Sequence, residues 1–201
     1  MCVYFWLTTS ISFRYEVFVF RHLNLMTLVK GMDFLKERIL PAYRQSHDIM
    51  ENFRIEDTYY DAYGYCNVTN AKYVLVKKAE LWRALNYEHV FFQHVDFLEA
   101  EDVDAFREQI KAYIEPNLVR KGAKTMEKDH MSTRVDCIFL CENGFMPDGE
   151  KAAKKARFFK DYMLSVRGFC EWRVVAVDLK NRKVIGNSAA RDLVKYYQNM
   201  L

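Results

Sequence analysis

The stretch Thr133-Arg134-Val135-Asp136-Cys137-Ile138-Phe139-Leu140-Cys141 decides the fold. It is almost continuously apolar. A strand reads this way when both of its faces are covered, as in a parallel sheet with helices on each side. A second strand of the same kind follows at Glu171–Leu179. Between them Asn143-Gly144 and Pro147-Asp148-Gly149 break the chain, and Glu150–Met163 reads as a helix with Ala152, Ala156, Phe159 and Met163 inward. Strand, helix and strand at this spacing predict a right-handed parallel crossover. Beyond it a turn leads to a short strand at Val184-Ile185, and Ser188 stands where it can cap a last helix, Ala189–Met200.

Working towards the N-terminus, Val103, Phe106, Ile110, Tyr113 and Ile114 fall on one stripe and predict a helix over Ala100–Glu115. Glu99, Glu101, Asp102 and Asp104 crowd its first turn, where the helix dipole favours negative charge. Pro116 and Gly122 mark its end and that of its continuation. Glu88–Phe97 is β-like, and Ala79–Leu85 reads as a short helix. Thr58–Cys66 is Tyr-rich and strand-like; with a turn at Asn67–Asn70 and a strand at Lys72–Lys77 it predicts an antiparallel hairpin. Asp33–Phe53 repeats Leu35, Ile39, Tyr43, Ile49, Met50 and Phe53 at a helical period, with a kink or a break into two short helices expected at Pro41. The expected fold is therefore a single α+β domain over residues 32–201. It has a mixed sheet, an antiparallel Tyr-rich hairpin in its N-terminal half and a strand–helix–strand crossover in its C-terminal part.

Residues 1–31 stand apart. Arg14, Glu16 and Arg21 interrupt the apolar runs, so no uncharged stretch of about 18 residues spans a membrane. No basic region with a cleavage site marks a signal peptide. Met32-Asp33-Phe34-Leu35 looks like an ordinary start running into a helix, so the segment is expected to be a weakly ordered or spurious extension.

The 201 residues are 51% hydrophobic and 28% charged, with only 7 Gly and 3 Pro, which suits a globular domain and excludes collagen-like or Gly/Pro-rich disordered classes. Net charge is +3, unevenly spread. Residues 1–149 hold 18 basic and 22 acidic side chains, and residues 150–201 hold 12 and 5. The basic C-terminal quarter is suited to an acidic protein or a nucleic-acid partner. No membrane partner is expected. Lys151, Lys154, Lys155, Arg157 and Lys160 nevertheless spread over the solvent face of their helix rather than one stripe. The five Cys include no Cys-x-x-Cys, and Cys137 and Cys141 lie about 13 Å apart along a strand, too far for a disulfide. Buried thiols in the reducing cytoplasm are expected.

Most motifs are missing. There is no Gly-x-x-x-x-Gly-Lys, no Gly-x-Gly-x-x-Gly, no Gly-x-Ser-x-Gly and no His-Glu-x-x-His or zinc spacing. His89 and His94 are five apart and point to opposite faces of a strand. Tyr59, Asp61, Tyr63 and Tyr65 are expected on one strand face, packing into the core rather than stacking on bases.

Asp136 lies early in the first strong strand, and Glu171-Trp172-Arg173 opens the next. Parallel neighbours would bring Asp136 and Glu171 together. This pattern is similar to the PD-(D/E)xK nucleases, and that resemblance implies Asp136 and Glu171 as Mg²⁺ ligands with Arg173 in the place of the family's Lys. An Arg cannot readily give up its proton, no Pro precedes Asp136, and a helix separates strands that the family joins directly. A structural salt bridge among Asp136, Glu171 and Arg173 is the preferred expectation. No cofactor and no metal are expected, and the leading reading is a non-catalytic binding or regulatory module, with a Mg²⁺-dependent nuclease, or non-catalytic nucleic-acid binding through the basic C-terminal quarter, as the alternatives.

Overall fold

A computed structural model describes residues 31–70 and 84–201. Two covering layers of helix enclose one seven-stranded mixed sheet. A π-helical turn, Leu35–Ile39, runs into α1, Leu40–Tyr43; Pro41 follows the π turn, whose widened backbone carries the helix past the hydrogen bond that Pro cannot make. The chain then turns into β1, Asp48–Ile55, so the last six residues of the helix expected over Asp33–Phe53 are strand. The helical period of Ile49, Met50 and Phe53 yields to pairing with β2, Thr58–Asn70, across a tight turn at Glu56-Asp57.

β2 is also antiparallel to β3, Ala84–Leu98. It continues through the Asn67–Asn70 turn expected from sequence, because Asn67 to Asn70 pair with Tyr87 to Ala84. The Tyr-rich strand thus has β1 and β3 as its described neighbours. The Lys72–Lys77 strand and most of the Ala79–Leu85 helix lie outside the described residues, as does the N-terminal extension up to residue 30; Ala84 and Leu85 belong to β3.

From β3 the sheet becomes parallel. α2, Ala100–Gln109, continues as a π-helical segment, Ile110–Val119, and leads to β4, His130–Phe145. The N-terminal acids do cap α2: the Asp102 carboxylate accepts the Glu99 N–H at 2.9 Å. Pro116 does not end the helix, because the widened turns carry the chain through it. The buried Glu115 pins that segment, accepting hydrogen bonds from Arg120, from Lys160 at 2.8 Å and from the Tyr162 hydroxyl at 2.9 Å.

α3, Pro147–Lys155, stops eight residues short of the expected helix. Phe159–Asp161 forms a short strand, β5, antiparallel to β6, Phe169–Asp178. Phe159, expected to face the core, is 61% exposed and stacks on Phe169. β6 is parallel to β4, as expected from the decisive stretch. β7, Lys183–Gly186, pairs with the second half of β6, and a 3₁₀ turn at Ser188–Ala190 leads into α4, Arg191–Met200.

Each face of the sheet has its own core. Phe91, Val135, Cys137, Phe139, Trp172 and Val174 pack under α2 and α3. Val90, Phe92, Ile138, Leu140, Val175 and Val177 pack under α1 and α4. Cys66, Cys137, Cys141 and Cys170 are free and buried. Among the described residues no helix is long and apolar enough to cross a membrane.

Candidate functional site

The parallel strands place charged residues at their amino ends on the α1/α4 face. Glu88 of β3, Arg134 of β4 and Glu171 of β6 stand opposite one another in register. One step inward, Val90, Asp136 and Arg173 form the next row. Asp136 is fully buried, and both of its carboxylate oxygens accept from Arg173: Oδ1 from Nε at 2.5 Å, Oδ2 from Nη2. The same Nη2 donates to Glu88 Oε1 at 2.7 Å, and Nη1 to Asp192 Oδ2 of α4 at 3.3 Å. One guanidinium therefore faces three carboxylates.

Burial pushes the Asp136 carboxyl well up, against the pull of Arg173. Burial also works on Glu88, but its hydrogen bond with Asp136 and the Arg173 charge outweigh it and hold Glu88 below the usual range. Arg173 is held up by Asp136 and Glu88 in spite of its own burial. His47, in the turn before β1, brings Nε2 to 4.0 Å from Glu88 Oε2 without a hydrogen bond, and burial lowers its pKa. Tyr43 lies against the His47 ring and accepts from the Tyr197 hydroxyl at 2.9 Å, tying α1 to α4 above the cluster.

Of the three residues singled out from sequence, Asp136 and Arg173 meet, while Glu171 shares their face, half-buried opposite Arg134, and takes no part in the ion pair. Glu88, Asp192 and His47 were missed. A lone Glu in the apolar run of β3 was the one local sign of this cluster.

A second polar group sits at the carboxyl ends of the strands. Glu142, buried on β4, accepts the Gly31 N–H at 2.5 Å and meets His94 Nε2 at 2.7 Å. Asp61 on β2 accepts the His94 N–H at 2.6 Å, taking the ladder position that β2 gives up as it leaves β3. At this point the alternation of β2 breaks. Tyr60 and Tyr63 both turn into the core, and Tyr59 is exposed under Arg54, so Tyr59, Asp61, Tyr63 and Tyr65 do not share one face. Beside this break lies a cavity of about 230 Å³, lined by Thr58, Tyr60, Gln93, Glu101, Asp102 and Phe106 among others. Among the described residues no group of three or more His, Cys, Asp or Glu is placed to hold a metal ion.

The family model of a domain of unknown function, DUF8052, matches residues 33–199. No curated protein and no solved structure matches the chain.

Proposed function

For this chain, which belongs to the DUF8052 family, we propose the role of a non-catalytic binding module. The observation that carries the reading is the closure of Asp136. Both of its oxygens are taken by Arg173, whose guanidinium also occupies the approach to Glu88, where a divalent cation shared by the two carboxylates would have to sit. An Arg in that position holds charge but does not shuttle protons. Asp136 thus serves, through Arg173 with Glu88 and Asp192, to lock β3, β4, β6 and α4 together, while Glu171, the other half of the acid pair that resembles a nuclease centre, stays outside the ion pair. The C-terminal quarter, by contrast, leaves its charge unspent. Of its 12 basic side chains only Lys154, Lys160, Arg173 and Lys183 are in ion pairs among the described residues. Such a surface attracts an acidic partner. The four buried free thiols suit the reducing cytoplasm.

The test is nuclease activity itself. The full chain, incubated with Mg²⁺ and supercoiled plasmid or structured RNA, is expected to leave both intact. Cleavage by the wild type that disappears in Asp136→Asn, with the thermal unfolding of the variant still cooperative, would overturn the reading in favour of a PD-(D/E)xK-like nuclease.

A further inference from the structure

The basic charge of the C-terminal quarter is gathered by two elements and not by one helix. α3 ends at Lys155, so of the basic run only Lys151, Lys154 and Lys155 stand on it, all three exposed. The turn between β6 and β7 adds Lys180, Arg182 and Lys183, also exposed. α3 packs beside β7, and Glu150 marks the seam. Its Oε1 accepts from Lys154 at 2.7 Å and from Lys183 at 3.0 Å, which brings cations of the two elements close together. The turn is set firmly in place. The Asn181 N–H and side-chain amide donate to the buried Asp178 carboxylate at 2.8 and 2.7 Å, the Gln198 amide of α4 donates to Arg182 O at 3.1 Å, and Lys183 lies over the Phe145 ring.

Six cations therefore share one surface. The acids within it are Glu150, which two lysines neutralise, Asp148 in the first turn of α3, and Asp178, buried beneath the turn. Asp96 and Glu99, at the end of β3 and beside the first turn of α3, bound the patch on that side. Lys151, Lys155, Lys180 and Arg182 have no ion pair among the described residues. Lysines on an edge strand keep sheets from pairing with one another. That accounts for Lys183 of β7 alone, since the others stand on a helix and in a turn. A protein partner normally meets an apolar or aromatic anchor at the centre of its interface, where Lys is depleted. The centre of this patch is instead the ion triad Lys154–Glu150–Lys183. A polar, strongly positive surface is what a phosphate backbone fits, because each cation that neutralises a phosphate releases a counterion.

We propose that α3 and the β6–β7 turn form a nucleic-acid docking surface, whose six cations hold backbone phosphates without reading sequence. The inference rests on the binding-module reading and names its acidic partner. The helix alone spreads its lysines too widely for one groove; the second row of cations comes from a turn that the assembled sheet sets beside it. Glu150 restrains the surface, since a phosphate must compete with it for Lys154 and Lys183.

Fluorescence anisotropy of labelled mixed-sequence oligonucleotides, single-stranded and duplex, titrated with the full chain in EDTA tests it. Chelation keeps any cleavage out of the measurement. Binding is expected at low salt, alike for unrelated sequences, with log affinity falling linearly against log salt. Lys151→Gln combined with Lys180→Gln removes one cation from each element. The pair should weaken binding about tenfold and flatten the salt slope by about two, while melting like the wild type. Glu150→Gln should act in the opposite sense, releasing Lys154 and Lys183, tightening binding and steepening the slope. Four results would each overturn the proposal: no binding at low salt, binding that the Lys151 and Lys180 pair leaves unchanged, binding that Glu150→Gln weakens, or polyglutamate bound more tightly than the oligonucleotides, which assigns the patch to an acidic protein. None of these touches the binding-module reading, which falls only to Asp136-dependent cleavage.

Discussion

Asp136 and Arg173 divide unequally when one is removed. Arg173→Ala leaves a carboxylate that is fully buried with no counter-charge, so its cost should fall in the range of about 3–5 kcal/mol known for broken buried pairs. Asp136→Ala leaves Arg173 with Glu88 and Asp192 still in contact, so its cost should lie at or below the bottom of that range. The double variant should cost less than the sum of the two, because neither charge is then stranded. Urea denaturation of the three variants measures all of this. Equal costs for the two single variants would show that Glu88 and Asp192 do not support Arg173. The pair itself was legible in the sequence, since parallel neighbours of known direction place early residues of one strand beside early residues of the next. Glu88, Asp192 and His47 were not legible, because they reach the cluster from β3, α4 and the turn after α1, and only the assembled sheet decides which of their neighbours they face.

Elements were legible where both faces of a strand are covered, and less so where a periodicity served two structures. Phe139 and Val175 sit mid-strand in apolar runs and are fully buried, as the sequence implies. Phe159 fits the inward stripe of a helix that would continue from Glu150, yet the helix ends at Lys155 and Ala156 turns to extended backbone (ψ 131°). The reason is tertiary: the first half of β6 has an open edge, and Phe159–Asp161 pairs with it while Lys160 and Tyr162 reach Glu115. Asp33–Phe53 fails in the same way at its end, where Asp48–Phe53 is claimed by β2. The two phenylalanines therefore separate the two outcomes by measurement. Phe139→Ala should cost about 3–5 kcal/mol, as deletion of a packed core ring does. Phe159→Ala, which removes an exposed ring and one stacking contact, should cost about 1 kcal/mol or less. A loss at Phe159 as large as that at Phe139 would return Phe159 to the core and the segment to a helix.

At the scale of the whole molecule the buried histidines set the response to acid. Burial lowers His47, His89 and His130, and His89, inside the sheet with its Nδ1 at 2.7 Å from the Tyr63 hydroxyl, falls from its ordinary 6.5 to about 4. The unfolded chain takes up these protons near pH 6.5, whereas the folded chain resists until lower pH. Between those limits the unfolded state binds more protons, so stability rises with pH across the window and falls as acid is added. The contribution of His89 is complete above about pH 7 and is lost by about pH 4, a span worth about 3 kcal/mol. Glu88 and Glu115, both held below the ordinary carboxylate range, add stability that is present above their unfolded pKa and lost only in stronger acid. The first loss on acidification should therefore come from the three histidines, opposed by the raised Asp136 carboxyl, which takes up its proton in the folded state first and adds stability as pH falls. The urea midpoint is expected to drop between pH 7 and pH 5, and His89→Gln should flatten that drop while lowering the midpoint at pH 7. If His89→Gln left the slope between pH 7 and pH 5 unchanged, His89 would have to take up its proton in the folded state. The Tyr63–His89 contact would then be open to water, and the seam between β2 and β3 would be looser than its packing under α2 describes.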